Sequence, residues 1–207
     1  MKAPRFLPHA LAAAVAAQIA PWVTAAELEE ITVTAQKRSE RLTDVPISLT
    51  SLGAESLEQT GVRQLKEMAE FVPNLSISSG TDFTSSVSIR GVGANSRNIG
   101  FDTRVGVYLD GVYLGQSPAL NQELLDLERI EVLRGPQGTL FGKNTVAGAI
   151  NLISKTPGDT LGGRLDVEYG NYDSRQVSAS VNLPLSQNLF AKLALSSQQR
   201  DGLVKTW

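Results

Sequence analysis

Leu127-Glu-Arg-Ile-Glu-Val-Leu-Arg-Gly-Pro-Gln-Gly-Thr-Leu-Phe-Gly-Lys-Asn-Thr-Val-Ala-Gly-Ala-Ile-Asn-Leu-Ile-Ser-Lys-Thr156 reads as strand, glycine-rich turn, strand. The first strand is expected at Ile130–Leu133 and a second apolar run at Ala149–Ile153. Between them Gly135, Pro136, Gly138 and Gly142 break the chain repeatedly, which implies a tightly folded turn. Upstream, Val105–Leu109 and Val112–Leu114 flank Asp110-Gly111. Two alternating runs around Asp-Gly are a strong hairpin signal, because a type I′ turn needs positive φ at both central residues.

Further upstream the elements stay short. Val45–Leu52 alternates apolar and polar and reads as a strand that tolerates an early Pro46. Ala54–Gln59 is expected as a helix ended by Gly61. Val62–Phe71 is expected as a second helix, with Leu65, Met68 and Ala69 on one apolar stripe and a stop before Pro73. Leu75–Ser78 and Val87–Ile89 read as strands, Ser79–Ser86 and Gly91–Thr103 as polar loops, and Pro118–Leu125 as a helical turn. Short strands and helices without βαβ periodicity point to an α+β domain with a small mixed sheet, of roughly 110–120 residues.

Beyond Pro157–Gly163 the pattern changes. Leu165, Val167 and Tyr169 alternate with Arg164, Asp166 and Glu168. Val177, Ala179, Val181 and Leu183 alternate with Gln176, Ser178, Ser180 and Asn182. Leu189, Ala191, Leu193 and Leu195 continue the period, with turns expected at Gly170–Asp173 and Pro184–Asn188. Three such period-2 segments of about ten residues are the signature of antiparallel transmembrane β-strands. The smallest barrels need about eight strands, so the barrel is expected to be incomplete here and the chain to be part of a longer one.

The other end reads as a secretory leader. Lys2 and Arg5 precede the apolar run Ala10–Ala20, which is too short to span a bilayer, and Val23-Thr24-Ala25 fits a cleavage site. Expected boundaries are 1–25 for the signal peptide, 26–41 for a linker, 42–158 for the α+β domain and 159–207 for the barrel strands. Glu27–Arg41 is polar apart from the β-branched run Ile31-Thr32-Val33-Thr34, and looks like an extended arm able to pair with an edge strand elsewhere.

Composition excludes several chemistries. There is no cysteine, and the one histidine, His9, lies in the leader. Thiol chemistry, histidine triads and Cys/His zinc sites are therefore out. The formal net charge of -2 offers nothing to nucleic acid. Gly138–Lys143 fails the phosphate-loop pattern at Gln137 and Asn144, and Gly91–Ser96 fails the dinucleotide pattern at its last position. No nucleophile–base pair stands out. No catalytic residue, cofactor or metal is expected, and the protein is read as a non-enzyme.

The Leu127–Thr156 block, together with Ile89-Arg90-Gly91-Val92-Gly93 and Val107-Tyr108-Leu109-Asp110-Gly111-Val112, resembles the plug domain of TonB-dependent outer-membrane receptors. Glu30-Ile31-Thr32-Val33-Thr34 looks like the TonB box of that family. The resemblance runs from Glu29 to Trp207. It implies a plug folded inside an outer-membrane barrel, and a box that pairs strand to strand with TonB and, through it, with an inner-membrane energising complex. It implies energised uptake of a scarce nutrient, most often a ferric siderophore. It also implies that Arg90, Glu131 and Arg134 lock the plug to the barrel wall, and that Gly91, Gly93, Gly135, Gly138 and Gly142 shape plug turns. The outward loops Ser78–Thr84 and Asn95–Thr103, with Asn95, Arg97, Asn98, Phe101 and Arg104, are expected to face substrate. The short stretch before Glu30 has no room for a signalling domain, which favours a transporter. The competing expectation is a truncated soluble periplasmic plug that binds TonB and transports nothing.

Overall fold

The computed structural model describes residues 31–79, 85–94, 103–115 and 124–202. The expected leader, Glu30, the loop residues Asn95, Arg97, Asn98 and Phe101, and most of the Pro118–Leu125 turn lie outside the described residues.

Two very short strands open the chain, β1 (Thr32–Val33) and β2 (Glu40–Arg41), paired antiparallel. Strand β3 (Ser48–Gly53) begins two residues after Pro46, so the proline falls outside the ladder. Helix α1 (Ala54–Thr60) ends on Gly61 in the left-handed region, φ 68°, whose N–H bonds back to the Glu58 carbonyl. The second expected helix is shorter and tighter, a 3-10 segment over Leu65–Glu70. The Glu67 carboxylate accepts from the Arg63 and Gln64 amides at its start. Leu65 and Met68 are buried as the stripe predicted, whereas Ala69 is only half-buried.

Strands β4 (Leu75–Ser79), β5 (Ser85–Ile89) and β6 (Val92–Gly93) form one small antiparallel sheet. Strands β7 (Val105–Leu109) and β8 (Val112–Tyr113) form the expected hairpin, with Asp110 at φ 48° and Gly111 at φ 83°. The opening block becomes β9 (Leu127–Arg134), helix α2 (Gly138–Phe141) and β10 (Gly148–Ser154). These join a five-stranded sheet in the order β3-β9-β10-β7-β8, antiparallel except for the β10–β7 pair. Such mixing gives the small mixed sheet its name.

Alternation along the central strands sorts side chains to two faces. Ile130, Val132, Ile150, Leu152, Val105 and Val107 join Leu65, Met68, Val72, Leu75 and Ile89 in the larger core. On the opposite face Leu133, Ala149 and Tyr108 pack with Val33, Ala35 and Val45. The N-terminal segment therefore covers the sheet's second face. Tyr108 closes that side: its O–H donates to the Phe141 carbonyl, and its ring lies 5.1 Å from that of Phe141. Burial holds the Tyr108 phenol above its ordinary pKa. Tyr108→Phe leaves the Phe141 carbonyl without this donor and is expected to cost about 1–2 kcal/mol, read as a lower urea midpoint.

The last three strands, β11 (Gly162–Gly170), β12 (Ser174–Ser186) and β13 (Leu189–Gln199), form an antiparallel meander with no closed barrel among the described residues. Pro184 sits inside β12, so the second turn is tighter than expected, with a register shift between Pro184 and Ser186. Leu165, Val167, Tyr169, Leu193 and Leu195 are exposed on one face. The charges of β11 turn the other way, toward the α+β domain.

Candidate functional site

Three groupings of polar side chains stand out. The first surrounds Glu131, in the middle of β9 and 0% exposed. The register sets Ser51 of β3 on one side of it and Asn151 of β10 on the other, giving a polar row across three strands. Above this row lies the segment that follows β1. Glu131 Oε1 accepts the Thr34 amide at 2.7 Å and the Thr34 hydroxyl at 3.2 Å. Arg129 donates its Nε to the same oxygen at 2.9 Å and its Nη2 to the Thr34 hydroxyl at 3.2 Å. Asn151 Nδ2 reaches Oε2 at 3.4 Å. A buried carboxylate needs such partners, since an isolated one is strongly disfavoured. The amide and hydroxyl of Thr34 and the guanidinium of Arg129 supply them.

The chain therefore does not leave Ile31–Thr34 as an unattached arm. Val33 and Ala35 are fully buried while Ile31 is 48% exposed. The Ile31 carbonyl accepts from Leu42 N, which puts the Thr32 and Thr34 amides on the edge away from β2. Thr34 spends its amide on Glu131. The β-branched alternation was visible in the sequence, but the docking partner, nearly a hundred residues away, was not.

The second grouping is cationic. Arg90 heads the turn between β5 and β6 at φ 54°, followed by Gly91 at φ 77°. Arg134 ends β9, its guanidinium donating Nη1 to Ser48 Oγ at 3.2 Å and Nη2 to Thr50 Oγ1. Its Nε is buried without a partner among the described residues. Burial first, and the nearby Arg90 cation second, push the Arg134 guanidinium below its ordinary pKa. Arg90 and the half-buried Arg134 are thus two neighbouring like charges, with no carboxylate paired to either among the described residues. Glu131, expected to act with them, accepts from Thr34 and Arg129.

The remaining expected residues are placed as follows. Gly135 (φ 104°) and Gly142 (φ 89°) bracket the α2 turn in backbone shapes that favour glycine. A Cβ on Gly93 would lie 2.5 Å from that of Ser88, whereas one on Gly138, at the start of α2, meets nothing within 4 Å. Arg104 is exposed beside β7, its carbonyl accepting the Ala147 amide at 2.9 Å.

The third grouping was not foreseen. It is the seam between the α+β domain and the meander. Arg63 pairs with Glu168, and Glu58 with Arg164. Lys192 and Asp126 meet at 2.6 Å with both side chains mostly covered. Asn182 accepts the Gly158 amide and donates to the Gly158 carbonyl, both at 3.0 Å. A gap of about 200 Å³ remains here, lined by Leu57, Val62, Gln176, Ser178 and Ser180 among others. The alternating polar side of β11 was legible in the sequence, but its partners on α1 were not.

Comparison with known proteins places this architecture. A model of the TonB-dependent receptor plug domain matches residues 41–149. The pesticin receptor of Yersinia pestis is 32% identical over 206 residues, which is 98% of this chain and 30% of that protein. The iron-regulated outer membrane virulence protein of Vibrio cholerae is 28% identical over 187 residues, 84% of this chain and 28% of that one. Among solved structures, the ferric yersiniabactin uptake receptor FyuA from Yersinia pestis aligns with a TM-score of 0.67 and 31% identity, covering 72% of this chain and 24% of its own. The ferripyoverdine receptor of the Pseudomonas aeruginosa outer membrane shares the fold, with a TM-score of 0.69 at 20% identity, over 82% of this chain and 22% of that one. The chain thus spans less than a third of the length of these relatives. It carries the plug and the first antiparallel strands of a barrel, and it belongs to the TonB-dependent receptors.

Proposed function

We propose that this chain is the gating portion of an outer-membrane receptor for energised uptake of a scarce nutrient, a ferric siderophore, with Glu30–Thr34 as the segment that TonB engages. The observation that carries the gating part is the seam. The meander turns its charged side to the plug and its apolar side outward, as expected for the wall of a lipid-embedded barrel around a stopper. Siderophore uptake is favoured over other cargo by the solved relative named for uptake of ferric yersiniabactin. The leader and the outer-membrane location belong to the same reading.

Arg90 and Arg134 are assigned the locking role in this reading. Their mutual repulsion and the orphaned Arg134 Nε call for carboxylates from barrel strands beyond those described here. Arg134→Ala in the complete receptor is therefore expected to loosen the plug by about 2–4 kcal/mol, because it leaves the opposing carboxylates buried and unpaired. Faster protease cleavage within the plug, with the barrel intact, is the readout. Unchanged cleavage and unchanged uptake would remove the lock from the account.

The function itself is tested by uptake in iron-starved cells expressing the complete receptor, offered labelled ferric chelates, cobalamin or oligosaccharides, with and without residues 30–34. Uptake of a ferric chelate that needs the segment supports the reading. Binding of TonB with no uptake of any cargo supports the soluble plug instead.

A further inference from the structure

We infer that Asp126, Asn182 and Lys192 form a pivot, that the plug parts from the first wall strands on the side of α1, and that the gap widened there is a passage for a polar chelate. The inference rests on the uptake reading above and adds where the opening lies.

The wall offers the plug no apolar seal along this seam. Strand register sets Arg164, Asp166 and Glu168 of β11 beside Ser180, Ser178 and Gln176 of β12, all on one face. On the plug side Leu57, Val62 and Leu127 reach the gap, but they pack into the larger core and gain nothing from the hydroxyls opposite. Parting the two bodies here exposes little apolar surface, so the hydrophobic term hardly opposes it.

What spans the seam is charge, and its two ends differ. Beside α1, the pairs Arg63–Glu168 and Glu58–Arg164 join side chains that are all more than a third exposed, and exposed pairs hold weakly. Two of these ions also have a partner on their own body. Arg164 Nε meets Asp166 at 2.8 Å within β11, and Glu58 lies 3.8 Å from Lys155 at the end of β10. Separation strands neither of them. At the other end Lys192 and Asp126 meet at 2.6 Å, only 17% and 16% exposed, with no second ion pair to either among the described residues. Separating them strands two covered charges, which costs far more. Asn182 sits beside Lys192 across β12 and β13. It bonds the Gly158 amide and carbonyl and donates to the Thr160 carbonyl. Asp126, at φ 54°, also accepts the Lys155 amide on its carbonyl. Plug, connector and wall are therefore tied at one spot, and the weak end of the seam moves about it. The gap of about 200 Å³ is smaller than the roughly 300–1,000 Å³ of small-molecule pockets, so a chelate needs it widened. Its hydroxyls, amides and charges suit a hydrogen-bonding chelate over an apolar one.

The chain has no cysteine, so thiols can be introduced in chosen pairs. In cells expressing the complete receptor, Arg63→Cys with Glu168→Cys spans the weak end, and Asp126→Cys with Lys192→Cys spans the pivot. Each pair is bridged with a short bis-maleimide and compared with itself unbridged. The weak-end bridge is expected to stop uptake of labelled ferric chelates, and the pivot bridge to leave uptake at its unbridged rate. Uptake that survives the weak-end bridge, or is lost equally at the pivot, overturns the inference. A second readout needs no transport. In isolated outer membranes holding the complete receptor, the single thiol of Ser178→Cys, which lines the gap, is offered a bulky maleimide. Raising salt to about 1 M, where the Debye length is about 3 Å, is expected to speed labelling about two- to tenfold as the exposed pairs weaken. Val107→Cys, in the larger core, is the control and stays protected. Labelling at position 178 that ignores salt, or that rises together with position 107, overturns the parting. If no chelate is taken up even without a bridge, the uptake reading fails, while the salt readout still decides the seam.

Discussion

Gly148→Ala is expected to destabilise the plug by about 3 kcal/mol or more, a large share of the 5–15 kcal/mol typical of a domain. Gly148 opens β10 and is hemmed in by Arg134 on one side and Val105 on the other. A Cβ there would stand 2.2 Å from the Leu133 carbonyl oxygen and 2.8 Å from Ile89 Cδ1. The isoleucine methyl can swing away. The carbonyl is ladder backbone and moves only if β9 and β10 part. The control is Gly138→Ala, whose Cβ meets nothing within 4 Å. In a helix that change is neutral to stabilising by up to about 1 kcal/mol. Urea unfolding or limited proteolysis of the two variants separates them. Matching midpoints would mean that the tight approach at Gly148 is easily relieved.

Thr32→Pro is expected to reduce energised uptake by the complete receptor to the level of a receptor lacking residues 30–34, with cargo binding unchanged. Thr32 is exposed, so the proline disturbs no core contact. Its amide faces away from β2, because the Ile31 carbonyl is the atom that bonds Leu42. The substitution therefore spares the internal β1–β2 pairing and removes a donor from the edge that a partner strand would read. Thr32→Val keeps the amide and is expected to retain uptake. Full uptake by the proline variant would show that the partner does not use this edge.

What the sequence made legible was local. Asp110-Gly111 specified its hairpin because both residues had to take positive φ. The Leu127–Thr156 block showed its two strands through β-branched runs separated by breakers. Period-2 alternation exposed the three meander strands and the side each charge takes. What stayed hidden depended on separation along the chain. Nothing in Val45–Leu52 says that it pairs with β9, or in Val105–Leu109 that it lies parallel to β10. The helical segment starts at Leu65, later than the expected Val62, because Glu67 captures the amides of Arg63 and Gln64 and caps the helix there. At the site, Glu131 was recognisable as a charge in an apolar strand, but its partners Thr34 and Arg129 follow only from the docking of the N-terminal segment. Gly148 reads as one more glycine until the Leu133 carbonyl beside it is seen.

The strand order β3-β9-β10-β7-β8 has a consequence for biogenesis. In a polypeptide emerging amino end first, the outer ribs appear early and the two middle ones last. Residues 48–53 must wait for 127–134 before they have a neighbour to zip onto, and 105–109, paired only with 112–113, must wait for 148–154 on their other edge. During that interval their ladder groups are unsatisfied and adhesive. A holdase that shields this waiting stretch would do more for the yield of assembled receptor than one that acts on the finished domain.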